Sequence, residues 1–418
     1  MNVGIADSVR ADRTKSHYGW IMVAVSFLVQ CIGFGNQYFN GVLIQPLKDL
    51  FHASTVAVLF STTGILTLMS GLGSPLCGLL MQRYSIRFFM LLALVTVGLG
   101  YIGLAYASNL REIAVINGVL FSTGLLTAAI AGNALVVNWF ATGRGLAMGL
   151  AGAGIYISGM FIPPVGTVLL ERLGFSETCL VLAGITFAAC PIVRWFVIDS
   201  PEKAKKNRSD GGASWMEPTE RLAFPDSLRL ATVIRQLRFW SIGIISAVFT
   251  GIVAAVTANL MPLAESAGVP RHAASYLVSG SAAGGIIGMI LFGKLFDLRG
   301  QRFCTRLLAV VLIAPCCLFI GNPPYPILMA AVVALGLGSG ASVLLPALLA
   351  TANFGRRGFT VAYGAMSLFL VVLAAAGISG FAYAYDLYGS YDQALKVFLA
   401  VLAMLFIAAS GLPKEAVA

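Results

Sequence analysis

The side chains of this 418-residue chain that could do chemistry within its apolar stretches are few, and they are neutral. Gln30, Gly33, Gln37 and Asn40, with Asn36 beside them, recur at the three- and four-residue spacing of one helix face. An amide buried without a partner costs on the order of 2–7 kcal/mol, so each must meet something. Two partners fit: a polar solute held against this face, or amides of neighbouring helices in an interhelical network. Asn133, Tyr156, Asn259, Ser279, Ser281, Ser339 and Ser342 are further neutral groups inside apolar runs. Tyr156 stands out because a phenol joins one donor to an apolar ring, a combination suited to a small organic acid.

The groups that reaction chemistry needs are missing from these runs. No ionisable residue lies in the middle third of any of them, and His17, His52 and His272 sit at their ends. There is no His-Glu-x-x-His and no nucleophile, base and orienting group together, so neither an enzyme nor a metal or cofactor is expected. Gly288 to Lys294 fits most of a P-loop, but Leu295 stands at the Ser/Thr position and the stretch is helical and apolar, so ATP hydrolysis is excluded.

What positions the amides is a set of apolar runs. Hydrophobic residues make up 58% of the chain and charged residues 11%, and the mean hydropathy is +0.88. A soluble domain carries about 25% charged residues, so the excess apolar surface must face a bilayer. Runs of about 20 residues, each long enough to cross as a helix, begin near residues 18, 56, 88, 112, 145, 178, 239, 274, 303, 324, 359 and 392. The expected fold is an all-α integral membrane protein of twelve spans. Residues 1–17 are polar, and the first run is too long for a signal-peptide core, so it is expected to remain as the first span.

The net charge of +10 is a topology signal, because the charges sit at run ends and in connections rather than on a nucleic-acid-binding face. With the N-terminus inside, the inner connections hold 22 Lys and Arg and the outer ones five: Lys48, Arg111, Arg172, Arg271 and Lys396. Both termini are therefore expected in the cytoplasm of a cell-membrane protein. The long connection 199–238 reads as a cytoplasmic linker with a basic run from Pro201 to Arg208. Leu228 to Arg238, with apolar and basic residues at helical spacing, is expected to lie along the membrane surface. Seven cysteines, an odd number almost wholly inside apolar runs, imply no disulfide framework.

The chain also repeats itself. Pro46-Leu-Lys-Asp49 recurs as Pro262-Leu-Ala-Glu265, Gly78 in GLLMQRYSIR as Gly293 in GKLFDLRGQR, and Phe140 in WFATGR as Phe354 in NFGRRG. One shared period divides the chain into pseudo-symmetric six-helix bundles, 1–198 and 239–418, joined by 199–238. Parallel repeats of this kind hold a solute between the halves near the bilayer midplane.

On these residues the chain resembles the major facilitator superfamily over nearly its whole length. The loop motif G-x-x-x-D-R-x-G-R-R is well formed from Gly293 through Asp297 and Gly300 to Arg302. It is degraded in the first half, where Gln82 and Ser85 replace the acid and the glycine while Gly78, Arg83 and Arg87 remain. YGWIMVAVSF from Tyr18, GVLIQPLKDLF from Gly41, WFATGRGLAMGLAGAG from Trp139 with Pro163-Pro164 after it, LPALLA from Leu345 and YDLYGSY from Tyr385 resemble bacterial relatives of the monocarboxylate porters, including oxalate–formate-antiporter-like members.

The resemblance implies alternating access, a cavity lined by the first, fourth, seventh and tenth spans, a small-molecule solute and a monomer in the lipid bilayer. The implied solute is a monocarboxylate-type anion, moved with a coupling proton or in exchange for another anion. It departs from the animal carriers at Asn40, where they place a lysine, and at Gly285 and Met289, where they place an acid and an arginine. Asn117 stands where many proton-coupled relatives carry an arginine, which leaves only rim carboxylates such as Asp49, Glu265 or Asp386 for coupling. Efflux or exchange of a neutral or amphipathic compound is the alternative, and a solute sensor without flux a remote one. The substrate-binding candidates are Gln30, Asn36, Gln37, Asn40, Asn133, Tyr156, Asn259, Ser279 and Ser342. The gating candidates are Arg83, Arg87, Arg144, Asp297, Arg302 and Arg356, with Asp297 expected to latch onto Arg144 and the positive N-terminal end of the fifth span.

Overall fold

The computed structural model describes residues 3–200, 230–266, 268–321 and 324–411, and every regular element among them is helical. Ten helices among the described residues are long and apolar enough to cross a membrane. Two are too long to be single crossings. Tyr325–Tyr388 has 64 residues, about 96 Å if straight, against a hydrocarbon core of about 30 Å. It turns back at Gly355 (φ 62°, ψ −173°), and the helix ending at Phe319 turns back at Gly300 (φ 73°, ψ 178°). A side chain in that left-handed region clashes with its own backbone, so glycine marks both reversals.

Twelve membrane-length segments result. They are α1 (Tyr18–Phe51), α2 (Ala57–Leu80), α3 (Ile86–Ala105), α4 (Leu110–Trp139), α5 (Arg144–Leu173), α6 (Phe175–Phe196) and α7 (Leu237–Ala258). The two broken helices supply α8 (271–299) with α9 (301–319), and α10 (325–354) with α11 (356–388), and α12 is Asp392–Gly411. The ends are set locally. Ser85 accepts from the Phe88 N–H at the start of α3. Asn109 accepts from Glu112 N–H while Glu112 reaches back to Ser108 N–H, a reciprocal cap for α4.

Leu68, Leu72, Phe88, Leu99, Ile185 and Ile244 are exposed on the outer face, where lipid tails cover them. Between helices, lipid supplies no hydrophobic drive, and close packing through small residues replaces it. A Cβ on Gly154 of α5 would stand 2.4 Å from the Phe27 carbonyl oxygen of α1. One on Gly288 of α8 would stand 2.2 Å from that of Leu337 of α10. The first six spans pack among themselves, as do the last six, and the two sets meet chiefly along α5 with α8 and α2 with α11.

Most of 199–238, including the basic run from Pro201 to Arg208, lies outside the described residues. Of the segment expected along the membrane surface, the described part is a five-residue helix, Leu230–Ile234. Extended backbone at Gln236 then leads into α7. The surface helix is thus a single turn here, because the chain must redirect at Gln236 to enter the bundle. All seven cysteines are free.

Candidate solute-binding site

The amide stripe of α1 faces α4. Ser26 donates to the Gly132 carbonyl at 3.2 Å, Gln30 lies over Gly132, and a Cβ on Gly33 would stand 2.5 Å from that of Ala128. Asn36 and Asn40, both at most 1% exposed, each donate to Asn117 Oδ1 at 3.1 Å, and Asn117 Nδ2 donates to the Ile113 carbonyl at 3.0 Å. Asn36 and Asn40 therefore belong to an interhelical amide cluster. Asn117 sits in a π-helical turn, Ile116–Phe121, an irregularity that re-aims side chains. Gln30 is buried with its Nε2 donor unpartnered, whereas Gln37 is half-exposed.

A second group of polar contacts crosses between the two sets of spans. The Tyr156 hydroxyl of α5 lies 2.7 Å from the Ser339 hydroxyl of α10, and its ring lies over Gly285 of α8, where a Cβ would stand 2.4 Å from it. Tyr38 of α1 rests on Gly159, one turn further along α5. Asn133 of α4 lies beside Tyr363 of α11. In both pairs a tyrosine from the fifth helix of one set reaches a polar residue on the fourth helix of the other.

Other candidates are placed elsewhere. Asn259 donates to the Ala255 carbonyl of its own helix, Ser342 to the Ser339 carbonyl, and Ser279 is exposed while Ser281 is buried. Asp49 accepts from Gln45 at 2.9 Å, Asp386 is exposed, and the side chain of Glu265 lies outside the described residues. Tyr38 and Tyr363 are functional candidates that sequence reading passed over. A tyrosine in an apolar run looks like packing until its neighbours are known.

At the end of the molecule that carries most of the arginines, the two sets are closed on each other. The carboxylate of Asp297 on α8 accepts the Gly145 N–H at 2.7 Å and the Leu146 N–H at 2.9 Å. It thereby caps α5, whose preceding residue Gly143 offers no side chain. Arg144 turns its guanidinium to the Phe140 carbonyl, so Asp297 engages the helix end by its N–H groups. A Cβ on Gly145 would stand 2.1 Å from the Gly293 oxygen, and one on Gly78 of α2 would stand 2.2 Å from the Thr360 oxygen of α11. Ser74 donates to the Gly364 carbonyl at 2.9 Å, and Arg356 to Asn138 Oδ1 at 2.7 Å, both across the two sets. Arg87 instead binds the Val197 carbonyl and, through its N–H, Asp199, within its own set. Arg83 is exposed and Arg302 half-buried.

This arrangement has counterparts among known proteins. The model of the Major Facilitator Superfamily matches residues 25–378. The chain belongs to that superfamily. It is thus an integral, multi-pass membrane protein of a family of transporters rather than enzymes, and major facilitators take small solutes across the membrane. An uncharacterized MFS-type transporter of Bacillus subtilis (strain 168) is 24% identical over 309 residues, 72% of each chain. Monocarboxylate transporter 12 of Mus musculus is 25% identical over 93% of this chain and 84% of its own length. Monocarboxylate transporter 1 of Homo sapiens is 26% identical over 196 residues, 46% of this chain and 39% of that protein, so that alignment spans well under half of the relative. Among solved structures, the fucose transporter FucP in the outward conformation superposes with a TM-score of 0.69 at 14% identity, covering 93% of this chain and 99% of that one. The human organic anion transporter TETRAN gives 0.71 at 14% identity, covering 94% and 99%. At that identity the likeness is one of fold.

Proposed function

We propose that this major facilitator moves a small monocarboxylate-type anion by alternating access. Residues 1–198 and 239–418 act as the two moving bodies and 199–238 as a cytoplasmic linker. The observation that carries the reading is the Tyr156–Ser339 hydroxyl pair, which bridges the two bodies at 2.7 Å. With Tyr38, Tyr363 and Asn133 it offers neutral donors to a carboxylate in a setting otherwise apolar. The names of the monocarboxylate relatives support the same solute class.

The excess of basic residues at the closed end supports a cytoplasmic position for that end and both termini, and with it an outward-facing reading of the described state. Asp297 holds it shut by completing the N-terminus of α5 across the interface, and opening must give up both hydrogen bonds.

The test is uptake of labelled short-chain carboxylates into proteoliposomes, with and without an imposed pH gradient. Saturable uptake that Tyr156→Phe weakens about fivefold, the equivalent of one hydrogen bond of about 1 kcal/mol, is expected. The absence of ionisable side chains from the middle of every span favours a second reading, a neutral or amphipathic solute. Folded protein that takes up no acid in this assay would overturn the monocarboxylate reading and favour this one.

A further inference from the structure

The Tyr156–Ser339 bridge joins two partners of unequal freedom. The ring of Tyr156 is pinned over Gly285, where a Cβ would stand 2.4 Å from it, so its hydroxyl is fixed 2.7 Å from that of Ser339. Ser339 has an alternative. A helical serine or threonine can turn its hydroxyl to a carbonyl about one turn back, as Ser342 and Thr351 do on the same α10. Breaking the bridge therefore leaves Ser339 satisfied and strands only the buried phenol of Tyr156, which then needs a new acceptor.

Tyr38 stands on the open side of this bridge. It rests on Gly159, one turn along α5 from Tyr156 and further from the closed end, and lies beside Tyr156. It is half-buried, and its hydroxyl has no hydrogen-bond partner among the described residues. A solute arriving from the open side meets this free donor before it meets the bridge.

We propose that an anionic solute opens the bridge: its carboxylate is captured by the Tyr38 hydroxyl and then takes the Tyr156 hydroxyl from Ser339. Either hydroxyl can donate within the bridge, and the phenol, as the stronger acid, is the better donor. Both phenols keep their protons, and only the acceptor of the Tyr156 O–H changes. The exchange favours the carboxylate because a hydrogen bond to an ionised acceptor is about twice as strong as one between neutral groups. A neutral carbonyl has no such advantage, so the same step separates an acid from its amide. The empty protein keeps its halves joined at this point and the loaded protein does not. This inference rests on the monocarboxylate reading.

The test is uptake of labelled acetate, lactate and pyruvate by the full-length protein in proteoliposomes, with each unlabelled acid and its amide as competitors. Ser339→Ala and Tyr156→Phe remove the same hydrogen bond, so a merely structural contact would move KM in one direction for both. On the proposal they act oppositely. Ser339→Ala frees the phenol for solute and should lower KM about fivefold, while Tyr156→Phe should raise it about fivefold, each shift corresponding to one hydrogen bond. Ser339→Thr, which keeps the hydroxyl, should return KM toward the wild-type value. Tyr38→Phe should raise KM more than it changes kcat, and the amides should compete far more weakly than the acids. Acid uptake with KM shifts of one sign, or amides that compete as well as acids, would overturn the proposal and keep the monocarboxylate reading. Should Ser339→Ala not fold, an unchanged KM in Tyr38→Phe would overturn it equally. Wild-type protein that takes up none of the acids would remove the monocarboxylate reading and the proposal with it.

Discussion

At the residue scale, Asp297 does the work of a missing cap. α5 begins after Gly143, which has no side chain to offer, and the first N–H groups of the helix are met from the opposite half of the molecule. A carboxylate at an exposed helix N-terminus contributes about 1 kcal/mol, roughly a fivefold bias toward the closed state. Asp297→Asn should therefore raise the population open at the basic end about fivefold, read as a longer distance between spin labels at the exposed positions 84 and 357. An unchanged distance distribution would show that the contact only orders the loop. The amides teach a different lesson. Their helical spacing was legible in the sequence, but the choice between solute and partner helix depended on which residue of α4 stood opposite. Asn117, read from sequence only as a departure from its relatives, joins Asn36 and Asn40 in the structure.

At the element scale, two kinds of glycine are required for different reasons. Gly300 and Gly355 reverse the chain at positive φ, where an L side chain costs about 1–2 kcal/mol. Gly300→Ala and Gly355→Ala should each lower the thermal midpoint of the purified protein, whereas Gly41→Ala, which has open space around it, should not. Gly145 and Gly78 instead permit backbone contact between helices of opposite halves. At 2.1 Å from the Gly293 oxygen a methyl group cannot be accommodated, so Gly145→Ala should drive the halves apart at this end while sparing stability. The same spin-label pair would report it, and a shift confined to Tm would contradict it. The apolar runs were legible because a span must satisfy its backbone internally and is therefore long, helical and apolar. The single turn at Leu230–Ile234 was not, because where a chain bends into a bundle depends on what it meets there.

At the scale of the whole molecule, orientation and gating are linked. With the termini inside, a membrane-impermeant thiol reagent applied to intact cells should label a cysteine placed at Lys396 or Arg172, but not one at Arg83, in a variant with Cys317 replaced. The reverse pattern would invert the molecule and make the described state inward-facing. The cross-half contacts lie at the basic end and around Tyr156, along α5 with α8 and α2 with α11. Separating them requires giving up backbone contacts and few charges. That is the economy expected of a molecule whose two arrangements must lie close in free energy.

The sequence by itself determined the spans, the repeat and the exclusion of reaction chemistry. Each follows from composition and periodicity, and the bilayer imposes both on any chain that crosses it. Only the tertiary structure decided which polar groups face each other. That Tyr156 meets Ser339, that Asn133 meets Tyr363 and that Asp297 caps α5 are contacts between residues about 150 to 230 positions apart. They are set by which small residues let two helices approach, and helical periodicity carries no information about the partner across that gap.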